Sequence, residues 1–327
     1  MIDVRKTITG PDRRERRRVL RTGLIFLLPL FLLVCPALHA RQLSVLEAPG
    51  VSVTFDAPLA GVARDVAQVY PLVRSELETT LGRTVDFRPA VLLVADRRTF
   101  ARMAGSTLFA AYALPGKLLM VIDASRLSTE PSSLAPTLKH ELCHLLLHRS
   151  LREAPLPRWL DEGVCQWASG GFAELVSGRR QSALAWAALT GTFLPLKSLE
   201  QGFPNDEHSL ALAYEESRSL VEYIVASYGR SGILNILEAL RNGYAVNDAV
   251  ATGLGIPLDV LEHRWQASQR TWTVILSSLV GNLYTLLFVC AALLTVAAYI
   301  RVRIRKRRLT DEEEEEEEGE DPSLPEG

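Results

Sequence analysis

His140-Glu141-Leu142-Cys143-His144 decides how this chain is read. Histidines at positions i and i+4 of a helix project from one face about one turn apart. Both imidazoles can then reach one cation while Glu141 faces a water bound to it. Leu134, Leu138, Leu142, Leu145 and Leu146 recur around the motif at helical spacing, with Pro131 and Ser132 ahead of them, so the pattern predicts an amphipathic helix over Ser132–Arg149. A structural zinc site uses four protein donors, whereas a catalytic one uses three and leaves the fourth position to water. The third donor is expected in Trp159-Leu160-Asp161-Glu162-Gly163, where Pro157 opens a second helix with Leu160, Val164 and Trp167 on its apolar side. Glu162 is the expected ligand, with Asp161 as the alternative, and Gly163 removes a side chain where another helix can pack closely. The implied cofactor is one zinc ion per chain. The competing reading is a pair of histidines on a solvated helix face.

These runs, together with Ala213-Tyr214-Glu215-Glu216-Ser217, Ser227-Tyr228-Gly229 and Leu261-Glu262-His263-Arg264-Trp265, resemble the peptidase MA-like branch of the gluzincin metallopeptidases. The resemblance implies His140, His144 and Glu162 as metal ligands and Glu141 as general base. It also implies a helical tyrosine near the reacting carbonyl, for which Tyr214 is the positional match; a tyrosine in an apolar helix also serves as core. One departure concerns the residue four places after the ligand glutamate. The family's thermolysin-like members hold a ligand histidine there with an aspartate, and this chain has Gln166, whose amide accepts a hydrogen bond but adds no charge. His148, one turn past His144, reads as a cation at a helix C-terminus.

Outward from the motif, Val51–Phe55 alternates as a strand, Ala60–Leu81 has helical spacing, and Ala90–Val94 and Leu118–Ile122 read as short strands. Leu118–Ile122 is expected at the rim of the cleft as an edge strand, open to pairing with an extended substrate. From Pro131 onward the pattern is helical, with helices over Ala173–Leu189, Ser209–Tyr228, Ile233–Arg241 and Leu258–Gln269. The fold class is therefore α+β: a small sheet lobe followed by a helical lobe, with the His-Glu-x-x-His helix between them and a transmembrane helix at the C-terminus. Arg97–Gly116 and Gly191–Glu207 read as loops that shape specificity.

The 327 residues carry a formal net charge of −2, which conceals strong local asymmetry. Residues 1–40 combine an arginine cluster, Arg13 to Arg21, with the uncharged run Thr22–Ala40, and read as a signal peptide cleaved after Ala40 or as a signal anchor. Residues 41–270 form the folded domain. Thr271–Ile300 contains no charged residue and exceeds the roughly 20 residues a transmembrane helix needs. Arg301, Arg303, Arg305, Lys306, Arg307 and Arg308 follow it and, by the positive-inside rule, are cytoplasmic. The domain then lies outside the cytoplasm. The tail 301–327, basic and then acidic through Glu312–Glu318, is expected to be disordered and open to a basic cytoplasmic partner. Cys143 and Cys165 are the only cysteines of residues 41–270; an oxidising compartment permits their pairing, but two small buried thiols at a helix interface are the expected state.

The expected activity is that of a membrane-anchored zinc metallopeptidase acting on a peptide or protein substrate. The alternative is a catalytically silent binding or scaffold protein that recruits partners through its acidic tail. No phosphate-binding glycine loop and no basic stripe in the outer domain argue for nucleic acid.

Overall fold

The computed structural model describes residues 43–127, 131–152, 154–170, 183–270 and 283–319. Leu43–Ala48 (β1) and Val51–Asp56 (β2) form an antiparallel hairpin, and Val51, Val53 and Phe55 on alternate positions of β2 are buried. Ala60–Leu81 (α1) crosses to Ala90–Val94 (β3), which lies parallel to β2. Its buried side chains Ala63, Val66, Tyr70, Val73, Leu77 and Leu81 fall at helical spacing and form the face that packs on the sheet. After Arg97–Ala104 (α2), Ala111–Leu114 (β4) turns back antiparallel to Leu119–Asp123 (β5), and β5 lies parallel to β3. The sheet order is β1-β2-β3-β5-β4.

Three elements here escaped the sequence reading. β1 presents Leu43 and Val45 to solvent, so its apolar alternation does not report a core face. β4 has only four residues, two of them alanine, and α2 lies with β4 inside the stretch read as loop. The expected edge position of Leu118–Ile122 is also corrected. The turn Pro115–Lys117, with Leu118 at φ 51°, reverses the chain so that β4 covers β5, and β4 carries the free edge.

A helical region follows the sheet, giving a mixed α+β fold. Its elements are Leu134–Leu151 (α3), Arg158–Ala168 (α4), Ala183–Thr190 (α5), Glu207–Arg241 (α6), Val246–Leu254 (α7) and Leu258–Gln269 (α8). α3 is central: it touches α1, α4, α6, β4 and β5, and every residue from His140 to Leu147 is buried. It is therefore not the amphipathic helix expected, because neighbours cover every side of it from His140 to Leu147. Gly229, at φ 73° and ψ 172°, divides α6 into two helical arms that match the two helices read over Ser209–Tyr228 and Ile233–Arg241. One apolar core joins the sheet to α1, α3, α4 and α6 through α8. The first part of the expected helix Ala173–Leu189, up to residue 182, lies outside the described residues.

Leu283–Gly319 (α9) contains Leu287–Arg305, which is long and apolar enough to cross a membrane by length and composition. The start of the expected span, 271–282, lies outside the described residues, as does the N-terminal signal segment. Of the tail expected to be disordered, α9 takes in residues 301–319, through the acidic run Glu312–Glu318, and 320–327 lie outside the described residues. Glutamate is a good helix former, and extending an existing helix avoids the cost of nucleating one.

Candidate metal centre

Two helices present the donors. On α4, Pro157 stands immediately before the first helical residue with φ −60°, and Leu160 and Asp161 donate their backbone N–H groups to its carbonyl. Trp159 and Leu160, both fully buried, anchor this first turn. Gly163 then meets α6: an added Cβ would lie 2.3 Å from the Ser217 carbonyl oxygen, so this crossing requires glycine, as its sequence context suggested. α3 and α4 are also joined covalently. Cys143 and Cys165 form a disulfide with Cα atoms 5.4 Å apart, in place of the two free thiols expected. The one-turn offset of each cysteine from a donor on its own helix brings the two sulfurs to the same crossing.

His140 Nε2 and His144 Nε2 are 3.2 Å apart, and Glu162 Oε2 lies 3.5 Å from the first and 3.7 Å from the second. Donors about 2.0–2.1 Å from a tetrahedral zinc stand roughly 3.3–3.4 Å from one another, so this triangle has the size the ion requires. All three residues are buried, and Glu162 Oε2 has no hydrogen-bond partner among the described residues. A buried carboxylate oxygen aimed at two imidazole nitrogens is costly unless something positive joins them. The donor set therefore fits a divalent cation. Glu141 is fully buried beside the two histidines.

Asp161 is not a donor to this triangle but holds one. Its Oδ1 lies 2.7 Å from His144 Nδ1, and its Oδ2 lies 3.0 Å from His148 Nε2 and 3.6 Å from Arg158 Nη1. His148 thus contacts this carboxylate from the last turn of the helix. Gln166 does not take the histidine; its amide donates to the Tyr214 carbonyl oxygen at 3.1 Å and ties α4 to α6. The charge expected to be missing around the histidines is supplied from the residue before the glutamate. Burial alone would lower the pKa of His144, but the Asp161 and Glu162 carboxylates outweigh it and raise it. Burial likewise works against the Asp161 carboxylate, yet His144 and His148 hold it well below the usual range. A field that favours a proton on His144 favours a cation in its place.

The two oxygens of Glu162 have different neighbours. Oε2 faces the imidazoles, while Oε1 receives Arg158 Nη2 in an ion pair and stands 3.4 Å from the Tyr214 hydroxyl. Phe203 packs between these two groups, its ring 5.1 Å from that of Tyr214 and under the Arg158 guanidinium at 5.9 Å. Tyr214 is thus brought to the centre, buried at its edge. Arg158 and Phe203 were not singled out from sequence. Arg158 is four residues before Glu162, a spacing that places it on the same helix face, whereas nothing local marks Phe203.

A cleft of about 400 Å³ reaches the site, lined by His144, Arg158 and Asp161 on one side and by Tyr112, Ala113 and Leu114 of β4 on the other. Residues 121–271, from β5 to just past α8, match the family model described as the Peptidase MA superfamily. The match supports the peptidase MA-like family that the motif residues resemble, and with it a metallopeptidase-like fold. No curated protein matches the chain.

Proposed function

We propose that this protein is a membrane-anchored zinc metallopeptidase that hydrolyses peptide bonds outside the cytoplasm. The observation that carries the reading is the buried triangle of His140, His144 and Glu162 with Glu141 between the two histidines in sequence. A zinc ion held by these three would supply a water of lowered pKa and a Lewis acid for the scissile carbonyl. Glu141 would take a proton from the attacking water and return it to the leaving amine. Asp161 would fix the His144 ring with Nε2 directed inward, through the hydrogen bond at Nδ1. Tyr214, whose hydroxyl lies beside Glu162, is placed to turn toward a developing oxyanion. The outer edge of β4 in the cleft wall, unpaired among the described residues, offers backbone groups to an extended peptide.

Glu141→Gln should retain one zinc per chain and lose peptide hydrolysis, measured by elemental analysis and a quenched-peptide assay. Full activity in that variant would remove Glu141 from the chemistry, and a zinc-loaded wild type that cleaves no peptide of a diverse library would favour the scaffold reading. For the membrane arrangement, a reporter fused after Gly327 should be cytoplasmic and one inserted near Asp206 should not, because the basic cluster from Arg301 to Arg308 follows the apolar span.

A further inference from the structure

A second and larger cavity, about 1060 Å³, opens beside the cleft and shares Pro115 and His148 with it as a common wall. Among the described residues its lining carries four guanidinium groups, those of Arg83, Arg149, Arg152 and Arg241, and a single carboxylate, Asp86. Glu238 pairs with Arg83 at 3.3 Å and with Arg241 at 2.7 Å. Arg149 and Arg152 have no carboxylate partner among the described residues and are exposed. Among the described residues, four cations against two carboxylates leave an excess of positive charge in a concave space, where low-dielectric walls focus the field.

The backbone singles out the same cavity. Among the described residues, positive φ outside glycine occurs at Leu118 and Arg152, and both line it. Arg152, at φ 58° and ψ −118°, ends α3 in a conformation that L-residues rarely adopt. Such conformations persist where the surroundings hold them, and they cluster at binding sites. The connection to the candidate metal centre is direct. α3 carries His140, His144, His148 and Arg149 in succession, so one rigid helix sets the distance from the metal donors to the arginines. Arg158, the arginine of the cleft itself, is already engaged by Asp161 and Glu162 and is not available for the same task.

We propose that this cavity is a subsite for peptide carboxylates, which narrows the substrate class to acidic peptides and rests on the metallopeptidase reading above. Guanidinium groups match carboxylates in fork geometry, and the volume stands at the upper end of the roughly 300–1,000 Å³ typical of ligand pockets, enough for more than one residue. The carboxylates can come from Asp and Glu side chains or from the chain end of the peptide.

The two sources are separable by binding without turnover. Full-length, zinc-loaded protein carrying Glu141→Gln is titrated with fluorescein-labelled decapeptides that contain either glutamate or glutamine at three positions, each as a free acid and as a C-terminal amide. The glutamate peptides should bind about 10-fold more tightly than the glutamine amide at low salt, with the difference shrinking as salt rises. Arg149→Glu should abolish the difference, and Arg149→Gln, the milder change at an exposed site, should reduce it. A glutamine free acid that binds as tightly as the glutamate peptides would assign the chain end as the source; tight binding of the glutamate amide assigns the side chains. Equal binding of all four peptides, or a preference untouched by both Arg149 variants, would overturn the subsite. Absence of hydrolysis by the wild type bears on the peptidase reading alone, because the binding ratio is measured in a variant that needs no turnover.

Discussion

The Asp161 carboxylate stands 2.7 Å from Nδ1 of His144, on the opposite side of the ring from the nitrogen that faces Glu162. This contact fixes the tautomer and makes the inward nitrogen a better donor. Asp161→Asn keeps the shape and removes the charge, so zinc affinity should fall about 10–100-fold, measured by competition with a chelating dye. An unchanged affinity would mean that Asp161 serves the α3–α4 contact without tuning the centre.

Tyr214 contacts the same glutamate oxygen as Arg158. Under the proposed mechanism, Tyr214→Phe should leave zinc content intact and lower kcat by about 10²-fold with KM little changed, the loss expected for one oxyanion donor. A loss of zinc without a separate kcat effect would instead assign the hydroxyl to orienting Glu162.

How much of this was legible before the structure depends on chain distance. The His-Glu-x-x-His spacing is local, so helical periodicity alone places His140 and His144 together. Glu162 was legible because its context of Trp159, Asp161 and Gly163 accompanies such motifs. The role of Asp161 depends on the rotation of α4 against α3, which no periodicity reports. Phe203 arrives from a segment between elements, and the disulfide depends on the distance between two helices. The edge position of β4 was hidden for a similar reason, since the order of strands follows from how a turn directs the chain.

Gly163 has backbone, not a flexible side chain, where a Cβ would go. Gly163→Ala should push α4 away from α6 and destabilise the domain by about 2–3 kcal/mol, seen as a lower Tm. An unchanged Tm would show that α6 can shift at little cost.

Glu216 is buried in α6, where burial pushes its carboxyl up to about 8; the Leu194 N–H opposes the shift, while Glu262 and Glu215 add to it. Because the folded pKa lies above the ordinary 4.5, its contribution to stability is fully present below about pH 4.5 and is lost as pH rises through about 8. Glu216→Gln keeps an acceptor for Leu194 and removes the charge. Its Tm should match the wild type at pH 4.5 and exceed it at pH 9; parallel Tm profiles across that range would show that burial does not raise the Glu216 pKa in the folded state.

The Cys143–Cys165 bond separates the making of the centre from the making of the fold. By closing a loop across 22 residues it restricts the unfolded chain by about 3 kcal/mol on the loop-entropy estimate, with no contribution from any cation. α3 and α4 are thus clamped with their donors already converged, and under the proposed function a chelator that strips the ion should leave a rigid, reloadable scaffold. Small zinc-dependent modules that unfold on demetallation behave otherwise. Here the ion would be an exchangeable passenger, so activity could be lost and regained with the supply of metal while the protein itself persists.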